Sequence, residues 1–171
     1  MDDPGMLAAA KAIESAGADV LRFNFPYRER GSRLPDPVSE LIPFFAQTAE
    51  RARRPDARLI IGGRSMGGRV GSMLAAEGFA CDGLLLLAYP LHPPGKPQKL
   101  RDEHLPRIKV PVLCFNGTRD ELCRRDLMQE VLGRIPARWD MRWIEGADHA
   151  LRTKKALAEI SAGTREWLAS L

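Results

Sequence analysis

Short apolar runs alternate along the chain with segments of helical spacing. Aliphatic, β-branched and aromatic runs predict strands at 19–25, 59–61, 83–88, 110–116 and 139–144. Apolar residues three or four positions apart predict helices near the start, within 37–53, behind residue 65, over 125–132 and from about Thr153 onward. Strands that alternate with helices indicate a mostly parallel sheet covered by helices on both faces. No linker or repeat interrupts residues 1–171, so we predict one α/β domain.

Local residues sharpen several of these boundaries. Asp2 or Asp3 can cap the first helix, whose first turn tolerates Pro4, and Gly17 closes it. Pro43 must either kink the second helix or mark its first turn. The polar, Arg-rich and proline-broken stretch 27–37 predicts a surface loop.

A glycine-rich turn connects the second predicted strand to the helix that follows it. Residues 63–67 read Gly-Arg-Ser-Met-Gly, which fits the G-x-S-x-G pattern of a nucleophile elbow. We expect side chains at Gly63 and Gly67 to collide in so sharp a turn. An incidental serine in a flexible turn is the alternative, but the strand before and the helix behind favour the elbow. A phosphate-binding loop is excluded, because Gly67 is followed by Gly68 and Arg69 instead of Lys and Ser or Thr.

Polar residues that can complete a catalytic triad follow two later strands. Asp120 follows strand 110–116, and His149 follows strand 139–144. Chemistry in such sheets gathers at the carboxyl ends of the strands, and the order Ser, Asp, His is that of α/β hydrolases. We therefore assign Ser65 as nucleophile, His149 as general base and then acid, and Asp120 as the orienting carboxylate. The backbone N–H of Met66 is expected to donate to the oxyanion.

The remaining histidines have simpler interpretations. His92 lies in a proline-rich loop and His104 in a charged segment, where a solvated surface position is the default. A surface position is also the alternative for His149. Asp148 is adjacent to His149 in sequence and therefore poorly placed to reach its ring, whereas Asp120 can both cap a helix and serve the triad.

Four residues are assigned to the substrate pocket, although the sequence supports them less directly. They are Tyr27, Arg64, Tyr89 and His92. Tyr27 and Tyr89 can line an acyl site, and Arg64 can contact an anionic group. Exposure to solvent explains Arg64 equally well.

Composition narrows the function classes. The 26 basic and 22 acidic residues give a net charge of +4, but aromatic content is 6% and no nucleic-acid motif is present. No segment approaches the roughly 18 apolar residues of a membrane span, and the acidic start lacks the form of a secretory signal. The three cysteines show neither metal-like spacing nor an even count. We predict a cytoplasmic protein that binds no nucleic acid, membrane, metal or cofactor.

Several motifs together resemble one group of proteins. The motifs are residues 22–27, 63–69, 89–97, 117–120 and 147–149, of which the proline-rich segment 89–97 is the most unusual. The chain resembles small bacterial α/β-hydrolase-like proteins related to the hydrolase-like domain of a non-specific lethal histone-acetyltransferase complex subunit. The resemblance implies a three-layer α/β-hydrolase fold and places the triad on the same Ser65, Asp120 and His149.

The same resemblance implies that the chain is truncated at its N-terminus and lacks the first strands of that fold. In the superfamily's sheet, one such strand lies between the predicted strands 19–25 and 59–61. The loop behind that strand supplies the second oxyanion donor, and loss of one donor costs roughly a hundred- to a thousandfold in rate.

Two functions follow from these patterns. The first is a serine hydrolase that cleaves a small-molecule ester, thioester or amide through an acyl-enzyme on Ser65. The alternative is a non-catalytic hydrolase-fold protein that uses segment 89–97 as a contact surface. The complete triad favours the hydrolase.

Overall fold

The computed structural model describes residues 3–171, in which six α-helices and four β-strands follow one another. In chain order they are α1 (Pro4–Glu14), α2 (Pro26–Glu29), α3 (Val38–Ala52), β1 (Ile60–Arg64), α4 (Met66–Ala76), β2 (Gly83–Leu87), β3 (Val112–Gly117), α5 (Arg125–Leu132), β4 (Trp139–Ile144) and α6 (Lys154–Leu168). Asp3 caps α1 by accepting the Met6 N–H at 2.8 Å, as predicted for that position, whereas Asp2 lies outside the described residues.

The four strands form one parallel sheet in the order β1-β2-β3-β4. In register, Gly63 lies opposite Leu86, Leu86 opposite Cys114, and Cys114 opposite Met141. All five residues of β2 and all six of β3 are buried, as expected for parallel strands covered on both faces. The predicted parallel sheet is therefore confirmed.

Helices cover both faces of this sheet and complete three layers. Because side chains alternate along a strand, Leu84 and Leu86 of β2 face one core while Leu85 and Leu87 face the other. The first core takes Phe45, Val70 and Met128 from α3, α4 and α5 among its members. The second takes Ala9, Ala12, Ile160 and Trp167 from α1 and α6. The three-layer α/β prediction is confirmed.

The predicted strand at 19–25 is wrong. Residues 18–25 run without regular secondary structure, and within residues 3–171 they join no ladder, so β1 is an edge strand there. A cavity of about 750 Å³ lies between them and β1, with Val20, Phe25, Ile61 and Gly62 among its lining residues. The segment has an apolar strand-like pattern but no adjacent backbone to bond. The cavity lies where the resemblance implies a further strand.

Aromatic packing holds residues 18–25 in place. The Phe23 ring lies 5.0 Å from that of Phe45 in α3 with an edge-on geometry, and 5.5 Å from that of Phe25. The segment then enters α2, a single helical turn that begins one residue before the predicted loop 27–37 and occupies its first three residues. Pro43 lies within α3, five residues after its first residue. In the described part of the chain, no helix is long and apolar enough to cross a bilayer.

Candidate active site

The turn from β1 to α4 holds Ser65 in an unusual backbone conformation. Ser65 has φ 52° and ψ −115°, a combination that a side-chain-bearing residue adopts only when its surroundings impose it. Its N–H donates to the Leu87 carbonyl at 2.9 Å, and its carbonyl accepts from the Arg69 N–H at 2.9 Å. The strand therefore continues to the serine and the helix starts directly behind it. This is the strand–turn–helix context that an elbow requires.

The glycines around Ser65 have different roles from those expected. A Cβ at Gly63 would lie 3.0 Å from the Gly67 carbonyl carbon, and a Cβ at Gly68 would lie 2.7 Å from the Gly63 carbonyl oxygen. The expected collision at Gly67 is wrong, because a Cβ there would meet no atom within 4 Å apart from its chain neighbours and the backbone of its own helix. Close approach of the strand end to the helix start therefore constrains Gly63 and Gly68, not Gly67.

The three predicted triad residues meet at the carboxyl edge of the sheet. The Ser65 Oγ lies 2.9 Å from His149 Nε2, and His149 Nδ1 lies 2.9 Å and 3.0 Å from the two Asp120 carboxylate oxygens. Both contacts are satisfied when Nδ1 carries the proton: Nδ1–H donates to Asp120 and the serine hydroxyl donates to Nε2. The Asp120 side chain has no exposed surface, whereas 29% of the His149 side chain is exposed. The imidazole is therefore reachable from solvent while its carboxylate is not.

Asn116 also belongs to this arrangement, and the sequence interpretation missed it. Its amide nitrogen donates to Asp120 Oδ2 at 3.2 Å and to the Tyr89 carbonyl at 3.1 Å, and its Oδ1 accepts the Tyr89 N–H at 3.0 Å. The Leu122 N–H donates to the other Asp120 oxygen at 2.9 Å. A buried carboxylate needs such donors, and these fix the plane that it presents to His149. The available signal was a polar residue at the end of an apolar strand.

Met66 is the first residue of α4, and it lines the cavity of about 750 Å³ beside Ser65. The N–H groups of the first helical turn have no acceptor within the helix, and the helix dipole places partial positive charge there. The Met66 N–H is one of these groups, and its role as an oxyanion donor stays a prediction.

Two of the four predicted pocket residues lie beside Ser65. Tyr27 and Arg64 line the cavity of about 750 Å³ together with Ser65 and Met66. Burial raises the pKa of the Tyr27 hydroxyl above its ordinary value, so the ring is neutral at physiological pH.

The pocket assignments of Tyr89 and His92 are wrong. Tyr89 is fully buried, and its hydroxyl donates to the Arg101 carbonyl at 2.7 Å. His92 is 2% exposed, with Nδ1 3.1 Å from the Pro93 carbonyl and Nε2 accepting the Arg124 N–H at 3.2 Å. Both side chains anchor the irregular segment behind β2 to its neighbours, and neither faces the cavities at Ser65.

His104 is likewise buried, not solvated as expected. Its Nε2 lies 2.8 Å from the Ser72 hydroxyl on α4. Burial, together with the nearby Arg69 and Arg107, lowers its pKa to about 4, which keeps the ring neutral at physiological pH. This second Ser–His pair lies inside the protein and joins α4 to the segment around His104.

A smaller cavity of about 470 Å³ opens over the triad. Ser65 and His149 lie in its wall with Arg64, Arg119 and Arg152, and Glu121, Asp148 and Ala150 complete it. Asp148 accepts the Ala150 N–H at 3.0 Å, a local turn contact that agrees with its expected failure to reach the imidazole ring. Within residues 3–171, no cluster of three or more His, Cys, Asp or Glu side chains could hold a metal ion.

Comparison with known proteins places this chain in a family. Residues 1–166 match the model of a family described as "Alpha/beta hydrolase domain". Among solved structures, a serine hydrolase without lid from Xanthomonas campestris is 22% identical with a TM-score of 0.74, covering 98% of this chain and 75% of that one. A serine hydrolase homologue from Coxiella burnetii is 19% identical with a TM-score of 0.73, covering 98% and 77%.

A third solved structure, Est1E from Butyrivibrio proteoclasticus with bound ferulic acid, is 13% identical with a TM-score of 0.78, covering 99% of this chain and 83% of that one. At these identities the likeness is one of fold, and it shows that the layers described above are those of the α/β-hydrolase fold. The narrower relation to the histone-acetyltransferase complex subunit stays a prediction.

Proposed function

Because this chain belongs to the family of α/β-hydrolase domains, we propose that it is a serine hydrolase that cleaves a small ester, thioester or amide through an acyl-enzyme on Ser65. The observation that carries the proposal is the continuous chain of hydrogen bonds from the Ser65 hydroxyl through His149 to Asp120. A hydroxyl needs an adjacent base to attack a carbonyl at neutral pH, and that base needs a carboxylate to fix its tautomer.

The geometry supports a two-step reaction. His149 Nε2 accepts the hydroxyl proton as the Ser65 Oγ bonds to the substrate carbonyl carbon, and the Met66 N–H donates to the oxyanion that forms. When the tetrahedral intermediate collapses, His149 returns the proton to the leaving group and an acyl-serine remains. His149 then takes a proton from water, which attacks the acyl carbon and releases the acid and the free serine. Asp120 stabilises the imidazolium in both steps.

The adjacent space suits a small substrate. The cavity of about 470 Å³ that contains Ser65 and His149 falls within the usual size of small-molecule sites. The alternative of a contact surface on segment 89–97 has less support, because Tyr89, Leu91 and His92 at its start are buried.

Hydrolysis of 4-nitrophenyl acetate and butyrate tests the proposal. The unaltered protein should release nitrophenol and carry an acyl adduct that intact-mass spectrometry detects before steady state. Ser65→Ala and His149→Ala should lose both signals, while Ser161→Ala, whose hydroxyl contacts Ser15 on the far side of the sheet, should keep them. A folded protein that cleaves neither ester, or a Ser65→Ala protein that cleaves them as fast as the parent, would contradict the proposal.

A further inference from the structure

The mouth of the candidate active site is rich in arginine. Arg64 immediately precedes Ser65, Arg152 follows His149 by three residues, and both line the cavity of about 470 Å³ that contains the serine and the imidazole. The guanidinium group is planar, permanently charged and matched to the geometry of carboxylate oxygens. Two such groups at one cavity suggest a ligand with a negative charge.

These two arginines already hold a carboxylate between them. Arg64 Nη2 donates to Asp3 Oδ1 at 3.0 Å, and Arg152 Nη2 donates to Asp3 Oδ2 at 3.2 Å. The two guanidinium groups are therefore spaced to take one oxygen each of a single carboxyl group. The Asp3 side chain is 40% exposed and lines the neighbouring cavity of about 750 Å³, which also contains Arg64 and Ser65, so this carboxylate does not lie in the core.

Arg64 also carries a donor that the protein does not use. Its Nη1 is buried, and no acceptor among residues 3–171 bonds to it. A buried guanidinium nitrogen without an acceptor is unfavourable, and an anionic oxygen that reached it once Asp3 is displaced would gain a charge-assisted hydrogen bond. Two other carboxylates, Glu121 and Asp148, share the cavity wall, but in the described chain neither forms an ion pair with Arg64 or Arg152.

We propose that Arg64 and Arg152 form a clamp for the negatively charged group of the substrate, which takes the place of the Asp3 carboxylate. The substrate class is then an ester, thioester or amide whose acyl part carries a carboxylate a few atoms from the scissile carbonyl. This inference rests on the proposed function, since it assumes that the scissile carbonyl lies at Ser65. Asp3 marks where the substrate's anionic group lies, and the clamp selects charged over neutral acyl chains.

A matched pair of esters tests the clamp. Mono-4-nitrophenyl glutarate and 4-nitrophenyl valerate have acyl chains of the same length and differ in a terminal carboxylate. The measured quantity is the ratio of kcat/KM for the charged ester to that for the neutral ester. Arg152→Gln should lower the ratio about fivefold, the upper range for a charge pair as exposed as this one. Arg64→Gln should lower it about tenfold or more, because that side chain is mostly buried.

Two further variants separate the clamp from a general effect of charge or stability. Asp3→Asn should raise the ratio, because it removes the competing carboxylate while asparagine still caps α1. Arg134→Gln makes the same change of charge at an exposed arginine that pairs with Asp102 outside both cavities, and it should leave the ratio unchanged. A ratio that stays constant in both Arg152→Gln and Asp3→Asn would overturn the clamp, as would an equal decrease in Arg134→Gln.

Equilibrium binding distinguishes failure of the clamp from failure of the proposed function. A wild-type protein that cleaves neither ester contradicts the proposed function alone. The 4-nitroanilides of glutarate and valerate can then be titrated calorimetrically into Ser65→Ala. The clamp predicts tighter binding of the charged anilide and loss of that preference when Arg152→Gln is added. Equal affinity for the two anilides would overturn it.

Discussion

Replacing Asn116 by leucine removes the amide that links Asp120 to the end of β2 while keeping the same number and branching of side-chain heavy atoms. The Tyr89 N–H loses its acceptor at 3.0 Å, and Asp120 Oδ2 loses a donor at 3.2 Å. The Tyr89 carbonyl loses the amide at 3.1 Å but keeps the Leu91 N–H at 3.1 Å, so it is not left unpaired. The variant therefore leaves one buried backbone donor without a partner, removes the acceptor of the weakly donating Cys114 thiol at 3.3 Å, and weakens the support of one buried carboxylate.

The magnitude follows from those two losses. A buried N–H without a partner costs about 1–3 kcal/mol, and a hydrogen bond to a charged group contributes about 1.5–3 kcal/mol. We expect Asn116→Leu to lower the free energy of unfolding by about 3–5 kcal/mol, measured by urea denaturation. Because Asp120 then orients His149 less firmly, kcat for ester hydrolysis should fall about 10- to 100-fold in the fraction that remains folded.

A matched control isolates the hydrogen bonds from the change of polarity. Thr164 is fully buried, and its hydroxyl has no partner in the described structure. Thr164→Val therefore deletes a buried polar atom without breaking a bond, and its stability should equal or exceed that of the parent. If Asn116→Leu loses no more stability than Thr164→Val and keeps full activity, the role assigned to Asn116 is refuted.

Two further predictions concern stability. Since burial lowers the pKa of His104 to about 4 while the unfolded chain protonates near 6.5, the unfolded state binds more protons between those values. The free energy of unfolding should therefore fall by about 2 kcal/mol between pH 7 and pH 5, and His104→Gln should make this fall smaller. If the free energy of unfolding depends on pH in the same way in the parent and in His104→Gln, the lowered pKa of His104 is contradicted. Gly62→Ala should prevent folding or lower stability several times as much as Gly146→Ala, because a Cβ at Gly62 would overlap the Leu85 carbonyl. At Gly146 only the positive φ of 75° opposes alanine, which lowers stability by about 1–2 kcal/mol. Similar thermal denaturation midpoints for the two alanine variants would refute the steric argument.

The sequence predicted which residues form the triad because all three lie at the carboxyl ends of strands. Ser65, Asp120 and His149 each follow a predicted strand, and a parallel sheet brings those ends to one edge. The predicted strand 139–144 coincides with β4, since both the apolar alternation and the following glycine mark its limits. The positions of these three residues needed only the order of elements and the direction of the strands.

The errors arose where a residue's surroundings come from distant parts of the chain. Residues 19–25 have a strand-like pattern, but a strand also requires a neighbour with free backbone groups, and apolar spacing does not report that neighbour. Tyr89 and His92 were assigned to the pocket, but the sequence does not show which residues pack against them. Their burial depends on contacts with Arg101 and Arg124, which lie 12 and 32 positions further along the chain.

Covalent labelling with a fluorophosphonate probe tests the central claim most directly. The account predicts a single adduct on the unaltered protein, located by peptide mass spectrometry on Ser65, and no adduct on Ser65→Ala. His149→Ala should be labelled far more slowly, because the hydroxyl then lacks its base. A folded protein that takes up no probe, or an adduct that persists at another residue in Ser65→Ala, would contradict the assignment of Ser65 as an activated nucleophile.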